Sequence, residues 1–332
     1  MSAEPCAGHA PRVWASGGVL AGADGSEGDP SIRFQCGFRV SGAQAVRIVI
    51  WASLSLVFGM RPFRTVELSP SLAEFGGLRF ATVHSTLLGG RADVTLWAPS
   101  TPKPADLPLV ILLHGVYGSH WAWALKGRVH HTARRLIEAG EIPPMALAMP
   151  SDGLRGDGTA YVPLASGNYE RWIVDEVPLV AREAVPEVTE ASPRFISGLS
   201  MGGFGALRLG ARHPKVFRGI SAHSAATSLK TLSPFLAEPF PVGDSTVEDS
   251  TAVEALVRNR ASLPPVRFDC GVDDFLIGHN RDLHAALDQA QVTHEYEEFP
   301  GGHTWEYWEQ NVEHSLRFFA RILSGAGNVL AV

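Results

Sequence analysis

The sequence predicts an α/β architecture, a mostly parallel sheet with helices on both faces. Three observations carry that reading. Leu107–Leu113, Met145–Met149 and Phe195–Leu199 are nearly continuous apolar runs, as expected of strands covered on both sides. Stretches of helical spacing alternate with them, at residues 121–138, 169–184, 201–212, 279–290 and 306–323. The order strand, helix, strand then favours parallel pairing through crossovers. With 332 residues, 45% of them hydrophobic, the chain can bury one sizeable core and still carry an appendage.

The elements follow in order. Residues 78–86 and 91–98 alternate apolar and polar around Leu88-Gly89-Gly90, the pattern of a hairpin. Pro108 falls at the start of the Leu107–Leu113 strand, where a missing N–H is tolerated. Pro178 should kink the helix over 169–184, and Pro214 should stop the one after Phe195–Leu199. Residues 217–222, 266–270 and 294–299 supply the remaining strands. Residues 229–264, rich in Pro, Asp and Ser, read as an excursion beside the site.

The N-terminal region differs. Residues 1–44 show no sustained period, and 46–58 form an apolar run interrupted by Arg47. That run is too short for a membrane span and too deep in the chain for an ordinary export signal. Met60 follows at once. The expectation is a catalytic domain over 60–332, with 1–59 an upstream extension, flexible or not native. An anchor or surface helix is the alternative, so a cytoplasmic location is expected while export or anchoring stays open. Loss of activity or solubility on deleting 1–59 would sink the extension reading.

Composition narrows the chemistry. The net charge of −6 offers no basic stripe for phosphates, so a nucleic-acid partner is not expected. Cys6, Cys36 and Cys270 match no zinc spacing, and Cys270 reads as a buried thiol. No metal or organic cofactor is implied for the reaction, and a homo-oligomer remains open.

The chemistry centres on Gly198-Leu199-Ser200-Met201-Gly202, a G-x-S-x-G between a buried strand and a helix. The small neighbours allow the sharp turn that exposes a serine at the sheet edge. There the helix N-terminus favours a developing oxyanion. By itself the motif is weak, because a turn serine capping a helix gives the same pattern. The loop His114-Gly115-Val116-Tyr117-Gly118 ends the first buried strand. Val116 and Met201 are the expected N–H donors to the oxyanion. A general base should follow the nucleophile in the chain. His303, in Phe299-Pro300-Gly301-Gly302-His303 after the last strand, opens at the same sheet edge. An acid should leave the penultimate strand, and Asp273 and Asp274 are both available there. Five residues are candidates for substrate contact: His114, Tyr117, Asp152, Trp172 and His223. Of these, His114 could instead brace its loop. Asp152 and Trp172 could be structural, and His223 is the reserve base. Trp305 and Trp308 suit a helix packing face.

Together, LLHGVYGSHWAW, MPSDGLRGDG, NYERWIVDEVP, GLSMGGFGAL, DCGVDDFL and GGHTWEYW resemble the esterase D-like branch of the α/β-hydrolases. That branch includes tributyrin esterases, feruloyl esterase domains, S-formylglutathione hydrolases and, further off, antigen 85 mycolyltransferases. The resemblance covers about residues 78–320. It implies a catalytic Ser200–His303–Asp274 triad, with G-x-x-D-F-L choosing Asp274 over Asp273. It also implies oxyanion donors at Val116 and Met201 and no large lid. Leu199 stands where S-formylglutathione hydrolases usually have histidine, so the tributyrin-esterase type is nearer. The implied activity is hydrolysis of small, short-chain acyl esters through an acyl-enzyme. Transfer to an alcohol, thioester hydrolysis and a non-catalytic binding module are the rivals.

Overall fold

The computed structural model describes residues 63–100, 104–238 and 249–325. The expectations about the apolar run 46–58 and a start at Met60 lie outside these residues. Among the described residues, no helix is long and apolar enough to cross a membrane.

Nine strands form one sheet. They are β1 (Phe63–Leu68), β2 (Arg79–Ser85), β3 (Gly90–Trp97), β4 (Leu109–Leu113), β5 (Ala146–Pro150), β6 (Arg194–Leu199), β7 (Ile220–His223), β8 (Val266–Gly271) and β9 (Glu295–Phe299). Their order is β1-β2-β3-β5-β4-β6-β7-β8-β9. The β1/β2, β2/β3 and β3/β5 pairs are antiparallel, and every later pair is parallel. The expected hairpin is therefore β2–β3, and the buried apolar runs are the parallel centre.

β4 shows why those runs are apolar throughout. Leu109, Ile111 and Leu113 point into one half-core, with the helices α2 (Val177–Ala184) and α3 (Met201–Arg212). Val110 and Leu112 point into the other, with α1 (Val129–Glu138) and α6 (Trp305–Leu323). Alternate side chains of one strand thus feed two cores, so no face is left for polar residues. Between them in sequence lie α4 (Ala252–Arg258) and α5 (Ile277–Gln289).

Two local readings are corrected and one is refined. The helix expected over 121–138 is split into Ala122–Leu125 and α1, because Arg128 adopts a left-handed φ of 45°. The helix expected over 169–184 is present, and its irregularity at Pro178 is a π-helical turn, Trp172–Glu176, between Tyr169–Arg171 and α2, which accommodates the missing N–H. The 229–264 excursion contains α4, which is capped by a reciprocal Thr251/Glu254 box.

Candidate active site

β6 delivers Ser200 to the C-terminal edge of the parallel strands, and α3 begins at the next residue. Ser200 has φ 55° and ψ −117°, a backbone conformation that non-glycine residues rarely adopt. Its surroundings hold it there. The Ser200 N–H donates to the His223 carbonyl (3.0 Å), and its own carbonyl accepts from Phe204 (3.1 Å) and Ala226 (3.0 Å). The flanking glycines are required by space. A Cβ on Gly198 would collide with the Gly202 carbonyl, and one on Gly202 with the Leu113 carbonyl.

His303 Nε2 lies 3.0 Å from Ser200 Oγ, and His303 Nδ1 lies 2.8 Å from Asp274 Oδ2. The other carboxylate oxygen of Asp274 accepts the Leu276 N–H at 2.8 Å. Burial works against the Asp274 anion, but the bonds from His303 and Leu276 outweigh it and hold the carboxyl below its usual range. Asp273, its neighbour, is exposed. The Asp273 N–H donates to the Gly301 carbonyl (2.9 Å), which ties the acid loop to the histidine loop through backbone. Phe275 (4.5 Å between centroids) and the edge-on Trp308 (4.9 Å) flank the imidazole.

The loop after β4 closes against Ser200. A Cβ on Gly115 would stand 3.2 Å from the Ser200 Cβ, so Val116 follows at close backbone approach. His114 shapes this loop from behind. Its Nδ1 donates to the Gly115 carbonyl (2.7 Å), its Nε2 accepts the Asp152 N–H (3.1 Å), and Tyr161 donates to its carbonyl (2.9 Å).

Ser200 and His303 open onto a cavity of about 440 Å³. Val116, Tyr117, Trp121, Leu232, Phe235 and Trp308 give it a mainly apolar wall. The 229–264 excursion does lie beside the site, through Leu232 and Phe235.

Of the five residues considered for substrate contact, only Tyr117 is on this wall. The other four are corrected to positions behind it. Asp152 accepts from the N–H groups of Leu154 and Thr159 and so shapes the loop over 152–159. Trp172 is fully buried and donates to the Ser151 carbonyl (2.9 Å). His223, also fully buried, lies 2.8 Å from Asp269 and 2.7 Å from Ser315 Oγ. Asp269 in turn accepts from Arg267 (2.6 Å) and Tyr307 (2.7 Å). Burial opposes the Asp269 anion, but His223, Arg267 and Tyr307 overcome it and hold its pKa at about 2. Sequence reasoning missed Trp121, Phe235, Phe275 and the cavity role of Trp305 and Trp308. The helical spacing of the last two indicated packing, and they do pack, but their inner edges also face the cavity. The aromatic density of HGVYGSHWAW and GGHTWEYW was the signal for such a wall.

The Esterase family model matches residues 85–319. The chain is 27% identical over 236 residues to an acetyl esterase of Caldicellulosiruptor saccharolyticus, which covers 65% of this chain and 85% of that protein. Among solved structures it resembles a ferulic acid esterase, with a TM-score of 0.62 and 27% identity over 74% of this chain and 97% of that one. It also resembles FphF, a fluorophosphonate-binding serine hydrolase of Staphylococcus aureus. There the TM-score is 0.62 and the identity 22%, over 73% of this chain and 98% of the other, a likeness of fold. The family match runs from the end of β2 into the last helix and takes in Ser200, Asp274 and His303; the chain belongs to the Esterase family and is a carboxylic ester hydrolase of α/β-hydrolase fold.

Proposed function

We propose that this chain is a serine carboxylesterase for short acyl esters, with Ser200 as nucleophile, His303 as general base and Asp274 as the group that orients the base. The observation that carries the reading is the unbroken relay from Ser200 Oγ to His303 Nε2 and from His303 Nδ1 to Asp274. Asp274 can only accept, so it keeps the proton on His303 Nδ1 and leaves Nε2 free to take the one from Ser200. Ser200 Oγ then attacks the ester carbonyl carbon. The N–H groups of Val116 and Met201 receive the oxyanion. The imidazolium gives its proton to the leaving alcohol, and an acyl-enzyme remains. Water, deprotonated by His303, attacks the acyl carbon, and the acid departs with Ser200 reprotonated.

A modest cavity with bulky aromatic walls supports short acyl groups, as does similarity to a protein named acetyl esterase. The test is hydrolysis of p-nitrophenyl acetate, butyrate and laurate by the wild type and by Ser200→Ala. Short esters should be cleaved fastest, and the variant should lose at least about 10,000-fold in kcat. Preference for laurate would overturn the chain-length reading. Unchanged activity in Ser200→Ala would overturn the triad. Product analysis with added alcohols separates hydrolysis from acyl transfer.

A further inference from the structure

Three side chains converge at the end of α5 farthest from Asp274. His284 and Asp288 stand four residues apart on α5 and so share one face. His294 lies just before β9. One nitrogen or oxygen from each falls within 4.8 Å of the others.

The protons at this cluster can be worked out. His294 Nδ1 lies 2.7 Å from the Val292 carbonyl, which can only accept. Nδ1 therefore carries the hydrogen, and Nε2 presents a lone pair. A backbone carbonyl fixing the tautomer in this way is the usual support of a metal-binding imidazole. That bare Nε2 faces His284 Nδ1 at 2.8 Å. If a neutral His284 donates there, its own Nε2 is bare and stands 3.5 Å from the Asp288 carboxylate, acceptor against acceptor. Bare imidazole nitrogens beside a carboxylate form a donor set that a cation shared by the three groups would use.

The rings are already held in place. His294 is almost fully buried and stacks on Phe268 (5.5 Å), and His284 stacks on Tyr296 (4.7 Å). We propose that His284, Asp288 and His294 bind a divalent transition-metal ion of the Zn²⁺ class, with water in the remaining positions. Two nitrogen donors disfavour Ca²⁺ and Mg²⁺, which take oxygen ligands. Ligand bonds of about 2.0–2.1 Å would spread the two nitrogens by roughly half an ångström for tetrahedral coordination. The exposed flank of His284 leaves room for that.

The ion has a structural task. α5 starts three residues after Asp274, and β9 ends four residues before His303. His284 and Asp288 stand seven and eleven residues past the start of α5, about 10–17 Å along its axis, so the ion lies away from the ester. It staples the end of α5 to the start of β9, and with them the two segments that carry the acid and the base.

The test uses the full-length protein stripped with EDTA. Calorimetric titration with Zn²⁺ should show one site of micromolar or tighter affinity, and Zn²⁺ should raise the melting temperature. Co²⁺ in its place should give visible d–d absorption. His284→Ala and His294→Ala should each weaken Zn²⁺ binding by at least about tenfold, the loss that even an outer-shell change produces. Both should abolish the thermal response while ester hydrolysis stays at the wild-type level. Absence of stoichiometric Zn²⁺ binding would overturn the site, and so would binding that survives in both variants. Should the buried His294→Ala fail to fold, the half-exposed His284→Ala decides the question alone.

Discussion

Ser200 occupies a backbone conformation that opposes its own side chain, and strain of this kind costs about 1–3 kcal/mol. Glycine at that position relieves the strain but adds freedom to the unfolded chain. Ser200→Gly should therefore raise stability by about 1 kcal/mol, read as a higher melting temperature, while removing esterase activity. A lower melting temperature would mean that the turn is not strained. A second Ser–His–Asp constellation, Ser315, His223 and Asp269, repeats the spacing of the first but is fully buried. A fluorophosphonate should accordingly label Ser200 alone, and Ser200→Ala should take up no label. A modified peptide containing Ser315 would disprove that burial silences the inner set. The sequence points to His223 as a reserve base because it leaves β7 at the correct sheet edge. It cannot show that the side chain turns inward, because that depends on Ser315, 92 positions away. The adjacent pair Asp273 and Asp274 is likewise unresolved by local pattern. The choice is made by backbone bonds to Gly301 and Leu276, and only the resemblance to known esterases anticipated it.

At the scale of elements, α3 is clamped to the helical segment Tyr169–Arg171 by a charge cluster. Glu170 accepts from Arg208 (2.7 Å), Arg212 (3.1 Å) and His213 (2.8 Å). Burial alone would raise the Glu170 pKa, but the bond from His213 and the two guanidinium groups pull it down to about 2. A depressed carboxyl pKa favours the folded state above the ordinary value, near 4.5. That contribution should be complete at neutral pH and fade as pH falls from about 4.5 through about 2. Glu170→Gln should cost about 3 kcal/mol at pH 7, since it removes the charge that the buried Arg208 pairs with. It should also flatten the acid limb of a plot of melting temperature against pH. An unchanged acid limb would locate the sensitivity elsewhere. Glu170 lies 38 to 43 positions from these partners, which is why the cluster escaped the reading of the chain. The strands were legible for the opposite reason, because a strand feeding two cores, such as β4, must be apolar at every position. α4 was missed because seven residues hold too few turns to show a period. Its Thr251-x-x-Glu254 cap was the readable sign.

Across the whole molecule, Ser200 belongs to the β6–α3 turn, whereas Asp274 and His303 belong to the loops after β8 and β9. Those two loops are sewn together. The N–H groups of Val272 and Asp273 donate to Phe299 and Gly301, and a Cβ on Gly271 would collide with the Gly301 carbonyl. Gly271→Ala, which touches no reacting atom, should therefore part the loops and lower kcat by about 100-fold or more, the usual penalty for a misplacement near 1 Å. Wild-type kcat in that variant would show that the stitching has slack. Asp274 and His303 are thus tied to each other through backbone, whereas Ser200 Oγ meets His303 through a side-chain bond, at 3.0 Å against 2.8 Å for the bond from His303 to Asp274. The population of attack-ready geometries at such a site should follow the serine-to-imidazole gap more closely than the imidazole-to-carboxylate one.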